Sequence, residues 1–205
     1  MRNLIIILSF LLLTCCAREN FKSEIEIYLL KSRKIEKGID IDKMDFYDEY
    51  CESLQFLLPD TRIDSINQEF IYAGKFSANT NDLKIKPIIN NDEILFLDTI
   101  GSKIIIKKSG LEKILNLKKE IVNGYQFAIT ENKKVIFTGY FWDFSSSYLS
   151  HWNSLYFKSQ KYYNKEKIEL ELFRNYGMKN PEFDSINFKQ YPELIKAFSL
   201  NKKIK

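Results

Sequence analysis

Apolar and polar residues change rhythm several times along the chain, and each rhythm predicts an element. Residues 4–13 are apolar apart from Ser9, a run well short of the ~20 residues that a membrane-spanning helix needs. Ile25, Ile27 and Leu29 then alternate with Glu24, Glu26 and Tyr28, the period-two pattern of a half-buried strand. Met44, Tyr47, Cys51, Leu54 and Leu58 recur at spacings of three and four, which predicts a helix capped by Asp42 and stopped by Pro59. Phe70-Ile71-Tyr72 reads as a short strand and residues 77–82 as a loop. The β-rich segments 93–98 and 103–107 flank Thr99-Ile100-Gly101-Ser102 and predict a strand pair. Ser109-Gly110-Leu111-Glu112 has the spacing of a capping box. A helix from there to about residue 121 would turn Leu111, Ile114, Leu115 and Leu117 inward and close at Asn123-Gly124. Segments 125–130 and 135–141 enclose a polar turn, Glu131 to Lys134, as a hairpin does. Ile168, Leu170 and Leu172 alternate with Glu169 and Glu171 in a further strand, and residues 191–204 read as a helix with lysines toward its C-terminal end.

This order predicts a single α+β domain over residues 24–205, a mainly antiparallel sheet with packed helices. Composition agrees, since 45% of the 205 residues are hydrophobic and only 7 are Gly and 4 Pro, which excludes a disordered or low-complexity chain. The 31 basic residues against 27 acidic ones give a net charge of +4. Lys and Glu are interspersed without a basic stripe, so no nucleic-acid partner is expected.

Arg2 followed by the apolar run matches the first two regions of a secretory signal. Leu13-Thr14-Cys15-Cys16 resembles the bacterial lipobox. That resemblance implies removal of residues 1–15, acylation of Cys16 and a tether over residues 16–23; Cys15 is the runner-up for lipidation. It also implies a cell-envelope lipoprotein, held at the inner or outer membrane by lipid chains that together anchor stably where one would not. The expected domain lies in the periplasm or at the cell surface. Cys51 is then the one remaining thiol, expected to be buried and inert on its helix.

Residues 86–94, the strand Lys103-Ile104-Ile105-Ile106, the helix after Ser109-Gly110 and the segment Asn123 to Ile136 resemble the head subdomain of the first periplasmic domain of SecD-type translocation proteins. The likeness covers about residues 86–141 plus the strand at 24–30. It implies a SecD-head-like, ferredoxin-like module. The segment Phe137-Thr138-Gly139-Tyr140-Phe141-Trp142 and the Ser-rich stretch after it are similar to uncharacterised exported lipoproteins of Bacteroidetes-type bacteria. Unlike SecD, this chain carries no spanning segments after the signal, so the resemblance implies a fold and a compartment and not a translocase.

His151 is the only histidine. With Asp143 and Ser146 it supplies the residue types of a hydrolase triad, yet no nucleophile elbow accompanies them. One histidine makes a zinc site poor in ligands, and Asp40-Ile41-Asp42 lacks the glycine and distal glutamate of a calcium loop, so neither metal nor cofactor is expected. The acid pairs Asp40/Asp42 and Asp48/Glu49 surround a helix start or its solvent face, where acids are stabilised anyway. Aromatics crowd residues 140–157, and strand alternation sets Tyr140 and Trp142 on one face with Phe141 on the other. Trp142, Tyr148 and Trp152 are the candidates for an interaction surface. The leading expectation is therefore a non-enzymatic envelope lipoprotein acting through a protein partner. An envelope hydrolase using Asp143, Ser146 and His151, and an immunity or inhibitor lipoprotein, are the alternatives.

Overall fold

The computed structural model describes residues 23–40, 62–117, 124–143, 150, 152–157, 165–174 and 184–205. Its strands are β1 (Ile25–Leu29), β2 (Lys37–Asp40), β3 (Arg62–Asp64), β4 (Glu69–Lys75), β5 (Ile94–Asp98), β6 (Lys103–Lys107), β7 (Tyr125–Glu131), β8 (Lys134–Asp143), β9 (Ser154–Phe157), β10 (Lys167–Arg174) and β11 (Asp184–Ser185); its helices are α1 (Lys108–Leu115) and α2 (Pro192–Leu200). The fold is α+β and predominantly sheet. One sheet runs in the order β1-β7-β8-β9-β10-β6-β5, with β11 beside β10, and a second has the order β2-β4-β3. Every pairing is antiparallel except β8 with β9. No helix among the described residues is long and apolar enough to cross a membrane.

Strand alternation sorts the side chains of the larger sheet into two layers. Ile25, Ile27, Phe127, Ile129, Phe141, Leu155, Ile168 and Leu170 fill the main core, which Leu111 and Ile114 of α1 and Leu194, Ala197 and Phe198 of α2 close. Tyr28, Ala128, Tyr140, Trp142 and Tyr156 point the other way and meet Phe70 and Tyr72 of β4. The smaller sheet thus covers the outer face of β1, β7, β8 and β9. Each fully buried large apolar side chain stabilises by roughly 1.5–3 kcal/mol.

Both edges of the larger sheet are occupied. Beside β1, the N–H of Ile27 donates to the Ile89 carbonyl at 2.9 Å and that of Lys84 to the Leu29 carbonyl at 2.9 Å. Beside β5, the tail after α2 returns extended: the N–H of Leu97 donates to the Lys203 carbonyl and that of Lys205 to the Leu97 carbonyl. Covered edges remove the unpaired main-chain groups that invite aggregation.

Several expectations from the pattern change here. The terminal helix stops at Leu200, where Asn201 caps it and Lys202 turns to φ 55°; the lysines beyond belong to the edge tail and not to a helix end. The β7–β8 hairpin turns on two residues, Asn132 and Lys133, both at positive φ, as a type I′ turn demands. Gly124, at φ +60°, enters β7 where a Cβ would stand 2.4 Å from the Trp142 ring, so only glycine fits. The proposed helix over residues 42–58, with Cys51, lies outside the described residues.

The capping box at Ser109 is also corrected. Lys107 precedes the first helical residue, Ser109 already lies inside α1, and its hydroxyl donates to Glu93 at 2.8 Å. Leu115, expected in the core, is 37% exposed, because the helix presents only Leu111 and Ile114 squarely to the sheet. Glu93 additionally accepts from Lys113 at 2.6 Å and from the Asn90 N–H at 2.9 Å. Burial pushes its carboxyl up, but the bonds from Lys113, Asn90 and Ser109 outweigh this and hold it below its ordinary value. A carboxyl depressed in the folded state adds stability above its unfolded value, and that stability disappears as pH falls through the folded value. Glu93→Gln is therefore expected to flatten the acid limb of a melting-temperature profile taken from neutral to about pH 3. A limb as steep as the parent's would remove Glu93 from the cause.

Candidate functional site

An irregularity in β4 creates the site. Ile39 faces Phe70, but two residues back along β2, Lys37 faces Lys75, so β4 carries surplus residues in a bulge. Within it Ala73 takes φ 43°, a left-handed conformation unfavourable for a residue with a Cβ. Gly74 beside it has no room for a side chain, since a Cβ would stand 2.2 Å from the Lys37 carbonyl oxygen. The bulge turns main-chain groups toward β8 and toward Ser150, which precedes β9. Tyr140 donates its hydroxyl to the Gly74 carbonyl at 2.8 Å, and Ser150 donates to the Ala73 carbonyl at 3.0 Å.

A buried polar network continues from there. Glu36 is 6% exposed, and its Oε1 lies 2.5 Å from Arg33 Nη2 and 3.2 Å from Gln126 Nε2. Its second oxygen accepts from the Gly74 N–H at 3.4 Å. Gln126 Oε1 accepts from the Lys34 N–H at 2.6 Å, and the Arg33 guanidinium sits 5.6 Å from the Tyr140 ring centroid. Burial, with the Glu36 charge adding to it, pushes the Tyr140 phenol far above its ordinary value, which keeps the hydroxyl a donor at physiological pH. Each polar group thereby has a partner, as burial requires. The network pins segment 33–37 against β7 and β8.

Above the network the chain diverges on either side of the Lys37–Lys75 pair and opens a cleft of about 570 Å³ between residues 34–37 and 75–77. Ile35 stands 82% exposed at its rim. Lys34 contacts Asp82, and that contact, together with the Asn79 N–H, holds the Asp82 carboxyl below its ordinary value. Lys75 reaches from the cleft toward Trp152, its Nζ 5.1 Å from the ring centroid; Arg174 is also 5.1 Å from that centroid. The indole N–H is 3.4 Å from Thr138 Oγ1, and Thr138 donates to the Phe76 carbonyl at 3.2 Å. Trp152 is thus tied to the cleft wall while remaining half-buried. The chemistry on offer is recognition: ammonium and guanidinium groups, an aromatic face and an exposed aliphatic side chain.

The aromatic candidates from the sequence separate. Trp142 is 1% exposed and packs edge-on against Tyr72 and Tyr140; it fills the layer between the sheets and is not an interaction-surface residue, because its position on β8 faces β4. Trp152 stays at the cleft edge. Tyr148, Ser146, His151, Cys15 and Cys16 lie outside the described residues, and Asp143 is seen as the last residue of β8, paired with Phe157. Among the described residues no three His, Cys, Asp or Glu gather to hold a metal ion. Arg33, Glu36 and Gln126 were not legible as a set from the sequence. Their one signal is Gln126 itself, a polar residue between Tyr125 and the apolar run Phe127-Ala128-Ile129. No family model, curated protein or solved structure matches the chain, so the geometry of the cleft carries the functional reading.

Proposed function

We propose that the chain is a lipid-anchored lipoprotein of the bacterial cell envelope whose domain is a non-enzymatic protein-interaction module, with the cleft and Trp152 as its contact surface. The observation that carries the reading is Trp152, partly buried with Lys75 and Arg174 against its ring. Tryptophan and arginine at a partly exposed aromatic surface are the chemistry of interface hot spots. The anchor rests on the short apolar run and the Cys15-Cys16 pair after it. The likeness of residues 86–141 to the SecD head belongs to the same reading, and the antiparallel pairing of β1 with β7 supports it.

Two measurements on intact cells test this. Metabolic labelling with an alkynyl fatty acid is expected to tag the parent and Cys15→Ala but not Cys16→Ala, and globomycin is expected to leave the precursor unprocessed. Photocrosslinking is expected to give a discrete envelope adduct that disappears in Trp152→Ala at unchanged melting temperature. Labelling of Cys16→Ala would refute the anchor, and an adduct indifferent to Trp152→Ala would refute the surface.

A further inference from the structure

The geometry points to an acidic, extended peptide segment of a partner protein as the occupant of the cleft, an inference that rests on the interaction-module reading and specifies its chemistry. Charge is the first argument. Lys37 and Lys75 stand opposite each other as strand partners, Lys34, paired with Asp82, lines the same opening, and Arg174 joins Lys75 at Trp152. The one carboxylate in the cleft wall among the described residues, Glu36, is engaged by Arg33 and Gln126. Cations are thus concentrated here, although the whole chain carries only +4, and an acidic partner is the complement.

Shape decides what kind of anion fits. Small-molecule sites enclose most of their ligand, whereas this cleft lies open between two diverging segments. A single exposed ion pair holds almost nothing, so a ligand must make several contacts, with Ile35, Lys37 and Lys75 in the cleft and with Trp152 beside Lys75. Ile35 at the rim and the indole beside Lys75 ask for apolar side chains between the carboxylates. An extended strand supplies that alternation, with successive side chains on opposite faces and every second one toward the cleft.

The test uses the full-length lipoprotein in nanodiscs of neutral lipid and two fluorescent probes, an alternating glutamate–leucine peptide and its lysine–leucine counterpart. Anisotropy is expected to show binding of the acidic peptide alone, weakened by added salt. Joint Lys37→Glu and Lys75→Glu substitution is expected to weaken it roughly tenfold or more, the scale of lost complementary charge at an interface. The milder Lys37→Gln with Lys75→Gln serves if charge reversal lowers the melting temperature. Equal binding of both peptides, or an affinity unchanged in a folded charge variant, overturns the proposal. So does quenching of Trp152 fluorescence by brominated phosphatidylglycerol in the discs, taken as the difference from Trp152→Phe, because the occupant is then the membrane. A Trp152-dependent crosslink in cells without acidic-peptide binding overturns the peptide chemistry alone and leaves the interaction module standing.

Discussion

Gly74→Ala is expected to destabilise the domain by about 3 kcal/mol, the upper end for forcing atoms into a filled site. The added methyl would stand 2.2 Å from the Lys37 carbonyl oxygen, a main-chain atom that cannot rotate aside. Relief requires β2 to separate from β4 exactly where the register already shifts. That separation also pulls the Gly74 carbonyl from the Tyr140 hydroxyl and its N–H from Glu36, leaving buried polar groups without partners. Urea denaturation with the tryptophan fluorescence as probe reads the change, and the loss should fall in the midpoint with the slope preserved. A midpoint within experimental error of the parent would show that the bulge is not held as described. Because Lys37 and Lys75 both border the displaced segment, the variant is also expected to lose the acidic-peptide affinity at temperatures where it remains folded.

Arg33→Met is expected to lower stability by about 2 kcal/mol. Removing one partner of a fully buried ion pair costs about 3–5 kcal/mol, and the figure is reduced here because the Arg33 side chain is 26% exposed while that of Glu36 is 4%, so water screens part of the pair. Methionine keeps an apolar stem of similar length, which isolates the charge from the packing. Glu36 would retain Gln126 and the Gly74 N–H but no cation at 2.5 Å. Replacing Glu36 by methionine as well is expected to recover a large part of the loss, since two apolar groups leave no unpaired charge. A double-mutant cycle in urea gives the coupling directly. A single-variant loss below about 0.5 kcal/mol, the range of ordinary surface changes, would mean that Arg33 does not compensate Glu36.

Alternation was a sound guide to which side chains of β1 and β10 face the main core, although Tyr28, expected on a polar face of β1, is buried under the smaller sheet. Ile25, Ile27 and Leu29 in β1 and Ile168, Leu170 and Leu172 in β10 all lie in the main core as their spacing predicts. It failed for β9, because Ser154, Leu155, Tyr156 and Phe157 are buried on both faces and a strand without a solvent face has no polar beat to read. The terminal helix was read too long for a related reason. Ile204 carries the apolar signal that extends the pattern, yet it is spent on a bridge to Leu97, and one-dimensional periodicity does not distinguish a helix face from an edge contact. At Ser109 a local rule lost to a tertiary one, since Glu93, sixteen residues earlier, accepts from the hydroxyl that the capping box assigned to the helix start.

What the sequence by itself determined is the α+β class, the strand pairs joined by short turns, and the two-faced placement of Tyr140, Phe141 and Trp142, all of which depend on neighbours a few residues apart. Only the tertiary structure decided the site. Arg33 and Glu36 are three residues apart, but Gly74, Gln126 and Tyr140, which complete their network, lie far along the chain, and Lys75 of β4 and Arg174 of β10 converge on Trp152, which precedes β9. Charged and amide side chains at such separations carry no periodic signal of their own. Their partnership arises when the bulge at Ala73 and Gly74 brings β4 over β8, and burial then obliges each polar group to find the others.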